Sequence, residues 1–117
     1  MRRVLIVEDE FLIRVTLAEM FIDEGFEALE AADGDEALVL LEANPVDLVL
    51  TDVNMPGALD GWSLADAARA RHPNLPIVFI SGGAQPPPGR PPSPHDAFVN
   101  KPYIPSDLVA MVRTLLS

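Results

Sequence analysis

The chain contains no cysteine. That excludes disulfides, thiolate catalysis and cysteine-ligated metal sites. Basic residues are scarce: eight Lys and Arg stand against 18 Asp and Glu, for a net charge of -10. A surface of that sign repels phosphate backbones and anionic membranes, so no nucleic acid and no membrane is expected as a partner. Long apolar runs are also missing. The run Val4-Leu5-Ile6-Val7 is over at Glu8-Asp9-Glu10, and none approaches the roughly 20 residues of a membrane span. With no leader-like segment either, a cytoplasmic location is the expectation. Hydrophobic residues are plentiful, at 49% of 117 residues. That is enough for one domain, 1–117, with a real core.

Two kinds of segment alternate along the chain. Short apolar runs lie at Val4–Val7, Leu48–Leu50 and Ile77–Ile80, with weaker ones at Phe26–Leu29 and Ala97–Val99. Between them the apolar residues fall at helical spacing. Leu12, Ile13, Leu17, Met20 and Phe21 share one face; Ala37, Leu38, Leu40 and Leu41 follow a turn at Asp33-Gly34. Leu64, Ala67 and Ala68 mark a third helix ending near His72-Pro73. Leu108, Met111, Val112 and Leu115 mark the last, with Pro105 in its first turn. Strand–helix alternation implies an α/β fold with parallel strands, right-handed crossovers and helices on both faces.

In such folds ligands bind beyond the carboxyl ends of the strands. The strand ends therefore matter most. They carry Glu8 and Asp9, then Asp52, then Ser81, then Asn100-Lys101. Singly, each has an ordinary role: a solvated loop before a helix, a turn aspartate, a strand exit, a surface lysine. Together they are harder to explain by folding alone, because clustered carboxylates repel one another. A hard divalent cation such as Mg2+ does explain them, since it takes oxygen ligands. Lys101 would add a point charge for an anion beside the metal.

The motifs VLIVEDE at 4–10, LVLTDVNMPG at 48–57, DG at 60–61, FISGG at 79–83 and NKPY at 100–103 resemble, in order and spacing, the receiver domains of two-component response regulators. The resemblance runs over nearly the whole chain. It implies a doubly wound, flavodoxin-like five-stranded parallel sheet of order 2-1-3-4-5. It implies an acceptor of phosphoryl groups, and not a turnover enzyme on an external substrate. Asp52 matches the phosphoacceptor, Asp9 the direct Mg2+ ligand and Glu8 a partner acting through metal-bound water. Asn54 matches the position whose backbone carbonyl is a ligand. Ser81 and Lys101 match the hydroxyl and the ammonium that contact phosphoryl oxygens. Ser81 and Phe98 match the switch positions, Phe98 lacking the hydroxyl of the tyrosine often found there. The implied partners are a histidine kinase or histidine phosphotransfer protein upstream and an unknown protein downstream. The Lys101-Pro102 bond matches one that is commonly cis in the family.

The chain departs from the family pattern in two places. MPGALDG is one residue longer than the commonest spacing before Gly61. More unusual is GGAQPPPGRPPSPHD: six of the 12 prolines fall between 86 and 94, where receivers have their fourth helix. Proline in a helix interior costs about 3 kcal/mol, so the expectation is that this helix is absent or much reduced. The segment is no phosphate-binding loop either, since it lacks the lysine-hydroxyl ending. His72 and His95, each isolated beside a proline, are not expected to bind metal. Two other readings stand beside the phosphoacceptor. One is a pseudo-receiver, an interaction module that does not use phosphorylation. The other is an aspartate-nucleophile phosphatase, which needs an acid/base Asp where this chain has Asn54.

Overall fold

The computed structural model describes all residues of the chain except Ala84 and Pro92. Its elements are β1 (Arg3–Val7), α1 (Phe11–Asp23), β2 (Glu27–Ala31), α2 (Gly34–Ala43), β3 (Leu48–Asp52), α3 (Gly61–Arg71), β4 (Ile77–Ser81), β5 (Asp96–Asn100) and α4 (Pro105–Leu116). The strands form one parallel sheet in the order β2-β1-β3-β4-β5. The doubly wound, flavodoxin-like architecture expected from the sequence is the one observed.

Side-chain alternation divides the core into two layers. Leu5, Val7, Val49, Ile77 and Phe79 pack with α2 and α3 residues such as Leu41, Leu64 and Ala68. Val4, Ile6, Leu48, Leu50, Val78 and Ile80 pack with Leu17 and Phe21 of α1 and Leu108 and Val112 of α4. Both faces of β1, β3 and β4 are thus covered, which is why their sequences are apolar without alternation. β5 forms an edge and is only partly buried, with Phe98 exposed.

Local chemistry sets the helix starts. Asp33 accepts a hydrogen bond from the Glu36 N–H at 2.8 Å, and Asp60 accepts one from the Ser63 N–H at 2.8 Å. α4 has Pro105 in its first turn and no side-chain cap at Ile104, so Asp107 is its first-turn acid. Gly61 is required by packing: a Cβ there would lie 2.6 Å from the Asp52 carbonyl oxygen. This close approach seats the start of α3 against the end of β3.

The crossover from β4 to β5 holds no helix among its described residues. Parallel neighbours usually need a helical crossover, but the described part of this one is turns and irregular backbone. The parts of that expectation that concern Ala84 and Pro92 lie outside the described residues. Two turns are formed among its described residues: the Arg90 N–H donates to the Pro87 carbonyl at 3.1 Å, with Gly89 at φ 81°, and the Asp96 N–H donates to the Ser93 carbonyl at 3.2 Å. Pro88 and Gly89 occupy the central positions that proline and glycine favour in a type II turn.

Candidate functional site

β1 and β3 are central strands, so their carboxyl ends emerge side by side. Each ends in acid. Glu8, Asp9 and Asp52 each offer a carboxylate oxygen, and the three lie within 4.8 Å of one another. Glu8 and Asp52 are buried at 4% and 6% exposure, whereas Asp9 faces solvent.

Asp52 is held through both oxygens. Oδ1 accepts from the Asn54 N–H at 3.0 Å, and Oδ2 accepts from Lys101 Nζ at 2.9 Å. The lysine reaches across from the end of β5, where its own N–H donates to the Ser81 carbonyl at 2.8 Å. The Lys101-Pro102 bond is cis. Burial lowers the Lys101 pKa, but the hydrogen bond and charge of Asp52 outweigh it, and the net direction is up. Lys101 therefore stays an ammonium.

Glu8 behaves differently. Its carboxyl is pushed up to about 8, first by burial and then by the neighbouring acids Asp52 and Asp9, against the Glu10 N–H that donates to it at 3.1 Å. Glu8 therefore keeps its proton near neutral pH, and losing it would leave a negative charge with no cation of its own, since Lys101 pairs with Asp52. Such a donor set, all hard oxygen and short of positive charge, fits Mg2+. Tyr103, half-buried near the same groups, is also shifted upward, chiefly by burial.

Of the residues singled out in the sequence, Glu8, Asp9, Asp52 and Lys101 come together. Asn54 is adjacent through its N–H, with its side chain exposed. Ser81 is buried at the end of β4, its Oγ accepting from the Gly83 N–H at 3.1 Å. Phe98 stands apart from the carboxylates. It pairs with Phe79 across β4 and β5, ring centroids 5.4 Å apart, and lies 6.0 Å from Trp62. Sequence reasoning missed two participants. Arg14 of α1 donates to the Glu8 carbonyl at 3.0 Å and to Glu30 at 3.2 Å, bracing the β1 end. Arg90 lies over the Trp62 and Phe79 rings, away from the carboxylates. The signal for it was available: a lone arginine straight after Pro-Gly in an acidic chain.

With this geometry in view, comparison with known proteins is decisive for the family. Residues 4–113 match the family described as "Response regulator receiver domain". The chain is 47% identical over 85 residues to the transcriptional regulatory protein PdtaR of Mycobacterium tuberculosis, covering 72% of this chain and 40% of that protein. It is 35% identical to the aerobic respiration control protein ArcA of Escherichia coli K12, over 97% of this chain and 48% of that one. The chain thus spans less than half the length of these curated relatives. Among solved structures, the receiver domain of the hybrid histidine kinase CckA superposes with a TM-score of 0.85 at 38% identity, covering 98% of this chain and 99% of that one. A response regulator receiver protein from Sinorhizobium medicae gives a TM-score of 0.88 at 30% identity, covering 98% and 94% of the two chains.

The chain belongs to the response regulator receiver family of two-component systems. Receivers are signalling modules and do not turn over external substrates; they bind Mg2+ through acidic residues and obtain phosphoryl groups from histidine kinases. Among the described residues, no helix is long and apolar enough to cross a membrane.

Proposed function

We propose that the chain is the phosphoacceptor of a cytoplasmic phosphorelay, taking a phosphoryl group on Asp52 from a histidine kinase or histidine phosphotransfer protein. The observation that carries this reading is the convergence of Glu8, Asp9, Asp52 and Lys101 at the strand ends.

Asp9, Glu8, Asp52 and the Asn54 backbone carbonyl would hold Mg2+. When bound, the ion neutralises charge on the transferring group and on the carboxylates. A carboxylate oxygen of Asp52 attacks phosphorus; the O–P bond forms as the P–N bond to the donor imidazole breaks, and the imidazole takes up a proton. Lys101 passes from Oδ2 of Asp52 to a phosphoryl oxygen, keeping its charge beside the incoming anion. Ser81 supplies a hydroxyl to another oxygen. One carboxylate charge becomes roughly two, with three acceptor oxygens. Ser81 leads directly into Gly82 and Gly83, so its movement is passed to the proline-rich segment. The output is a protein-binding surface that includes Phe98, and the downstream partner is another protein.

Incubation with a small phosphodonor, with and without Mg2+, followed by intact mass, tests this. One added phosphoryl group is expected only with Mg2+, and none in Asp52→Asn. Wild-type stoichiometry and rate in Asp52→Asn would overturn the assignment. No addition to the wild type would leave a receiver fold that acts by binding alone.

A further inference from the structure

The Arg90 side chain fastens the proline-rich segment to the domain. The turn at Pro87–Arg90 points the Arg90 guanidinium onto two rings, 5.2 Å from the Trp62 centroid and 5.1 Å from that of Phe79. Trp62 and Phe79 lie 4.5 Å apart, and Phe98 extends the surface they form. At its edge sits Asp96, whose side chain is only 2% exposed. Arg90 Nη1 donates to Asp96 Oδ2 at 3.1 Å, while Arg69 of α3 pairs with Oδ1 at 2.6 Å. Asp66 stands 3.6 Å from Arg90 Nε.

An aromatic recess, its Trp62 and Phe79 rings tilted 33° to one another, with a buried carboxylate at its edge is a receptor for a guanidinium, which can lie on the rings and form directed hydrogen bonds at once. Arg90 fills it incompletely: its buried Nε makes no hydrogen bond. An incomplete fit suits a fastening that must open. Among the described residues, the segment carrying Arg90 has few other attachments to the domain. Gln85–Gly89 is exposed, and of the six prolines none has an N–H to donate.

We propose that the Trp62–Phe79–Asp96 recess is an arginine-binding site occupied in cis by Arg90. A partner protein docks there by supplying its own arginine when the segment lifts. The strap then blocks this site and competes with the partner. Charge favours such a partner, since Asp66, Asp96 and a net charge of -10 attract a basic segment. The proposal does not depend on phosphorylation, and its test leaves Asp52 and the metal site untouched.

Trp62 is the only tryptophan, so its fluorescence reports the recess alone. Acrylamide quenching is compared in wild type and Arg90→Ala without phosphodonor, and each protein is titrated with a synthetic peptide of residues 87–91, Pro-Pro-Gly-Arg-Pro. Arg90→Ala should quench about twofold or more strongly, because the cation no longer covers the indole. It should bind the peptide saturably, and the wild type roughly tenfold more weakly, because tethered Arg90 competes at an effective concentration near millimolar. A peptide with alanine for arginine should not bind. Equal quenching of the two proteins, no saturable response in Arg90→Ala, or a response indifferent to the peptide arginine would each overturn the proposal. If Arg90→Ala fails to fold, Arg90→Lys carries the same comparison, since lysine keeps the charge and loses the stacking fork.

Discussion

At the scale of single residues, Glu8 is the group most altered by its surroundings. Three acids share a space with one ammonium, and the most buried of them holds its proton up to about pH 8. In the unfolded chain the same carboxyl releases its proton near 4.5. Between these values the folded state binds the extra proton, so this group's contribution to stability is lost as pH rises from about 4.5 through about 8. Glu8→Gln removes that loss. In EDTA, the variant should equal the wild type near pH 4, below the unfolded value of 4.5, and exceed it by roughly 1–2 kcal/mol at pH 9, a figure discounted for water reaching the exposed side of the site. Urea unfolding at both pH values measures this, and parallel pH profiles would refute it. A divalent cation held by these acids would take the place of the proton that Glu8 otherwise keeps.

At the scale of elements, α3 carries a second dependence. Its start is fixed by two neighbours in sequence, the cap Asp60 and the close-packed Gly61. The Gly61 N–H donates to the Val53 carbonyl at 2.9 Å, tying the helix to the residue after Asp52. Asp60→Ala should cost about 1 kcal/mol of stability, the usual worth of a helix cap. A loss below a few tenths, read from chemical denaturation at constant m-value, would mean the cap is replaced by solvent. The crossover from β4 to β5 shows the opposite logic. There the prolines forbid a helix, and a single arginine replaces the packing that a helix would have supplied on the α3 side of β5.

At the scale of the whole molecule, net charge and the acidic site act together. Any ligand that binds only the folded state stabilises it by mass action. Mg2+ at ten times its dissociation constant should add about 1.4 kcal/mol, which in a domain of this size is a rise of several degrees in melting temperature. Asp9→Asn should abolish most of that rise, and Na+ at equal ionic strength should give only the smaller gain from screening the net charge. Scanning calorimetry separates the cases. Equal shifts in wild type and Asp9→Asn would show that the ion acts by screening alone.

The sequence by itself determined what depends on near neighbours. Apolar runs gave the strands, helical spacing gave the helices, and proline ruled out the helix between Ser81 and Asp96, because each rests on backbone angles and local periodicity. The ends of the strands, read through the rule for parallel sheets, place Glu8, Asp9, Asp52 and Lys101 at one edge from sequence alone. Tertiary structure alone decided the rest. That Glu8 is buried while Asp9 beside it is exposed depends on which way each side chain leaves the end of β1. That Arg90 lies on Trp62 and Phe79 and pairs with Asp96 depends on contacts between α3, β4, β5 and a loop. Pairing energies of that kind come from desolvation and geometry across the fold, and neither is written in the order of neighbouring residues.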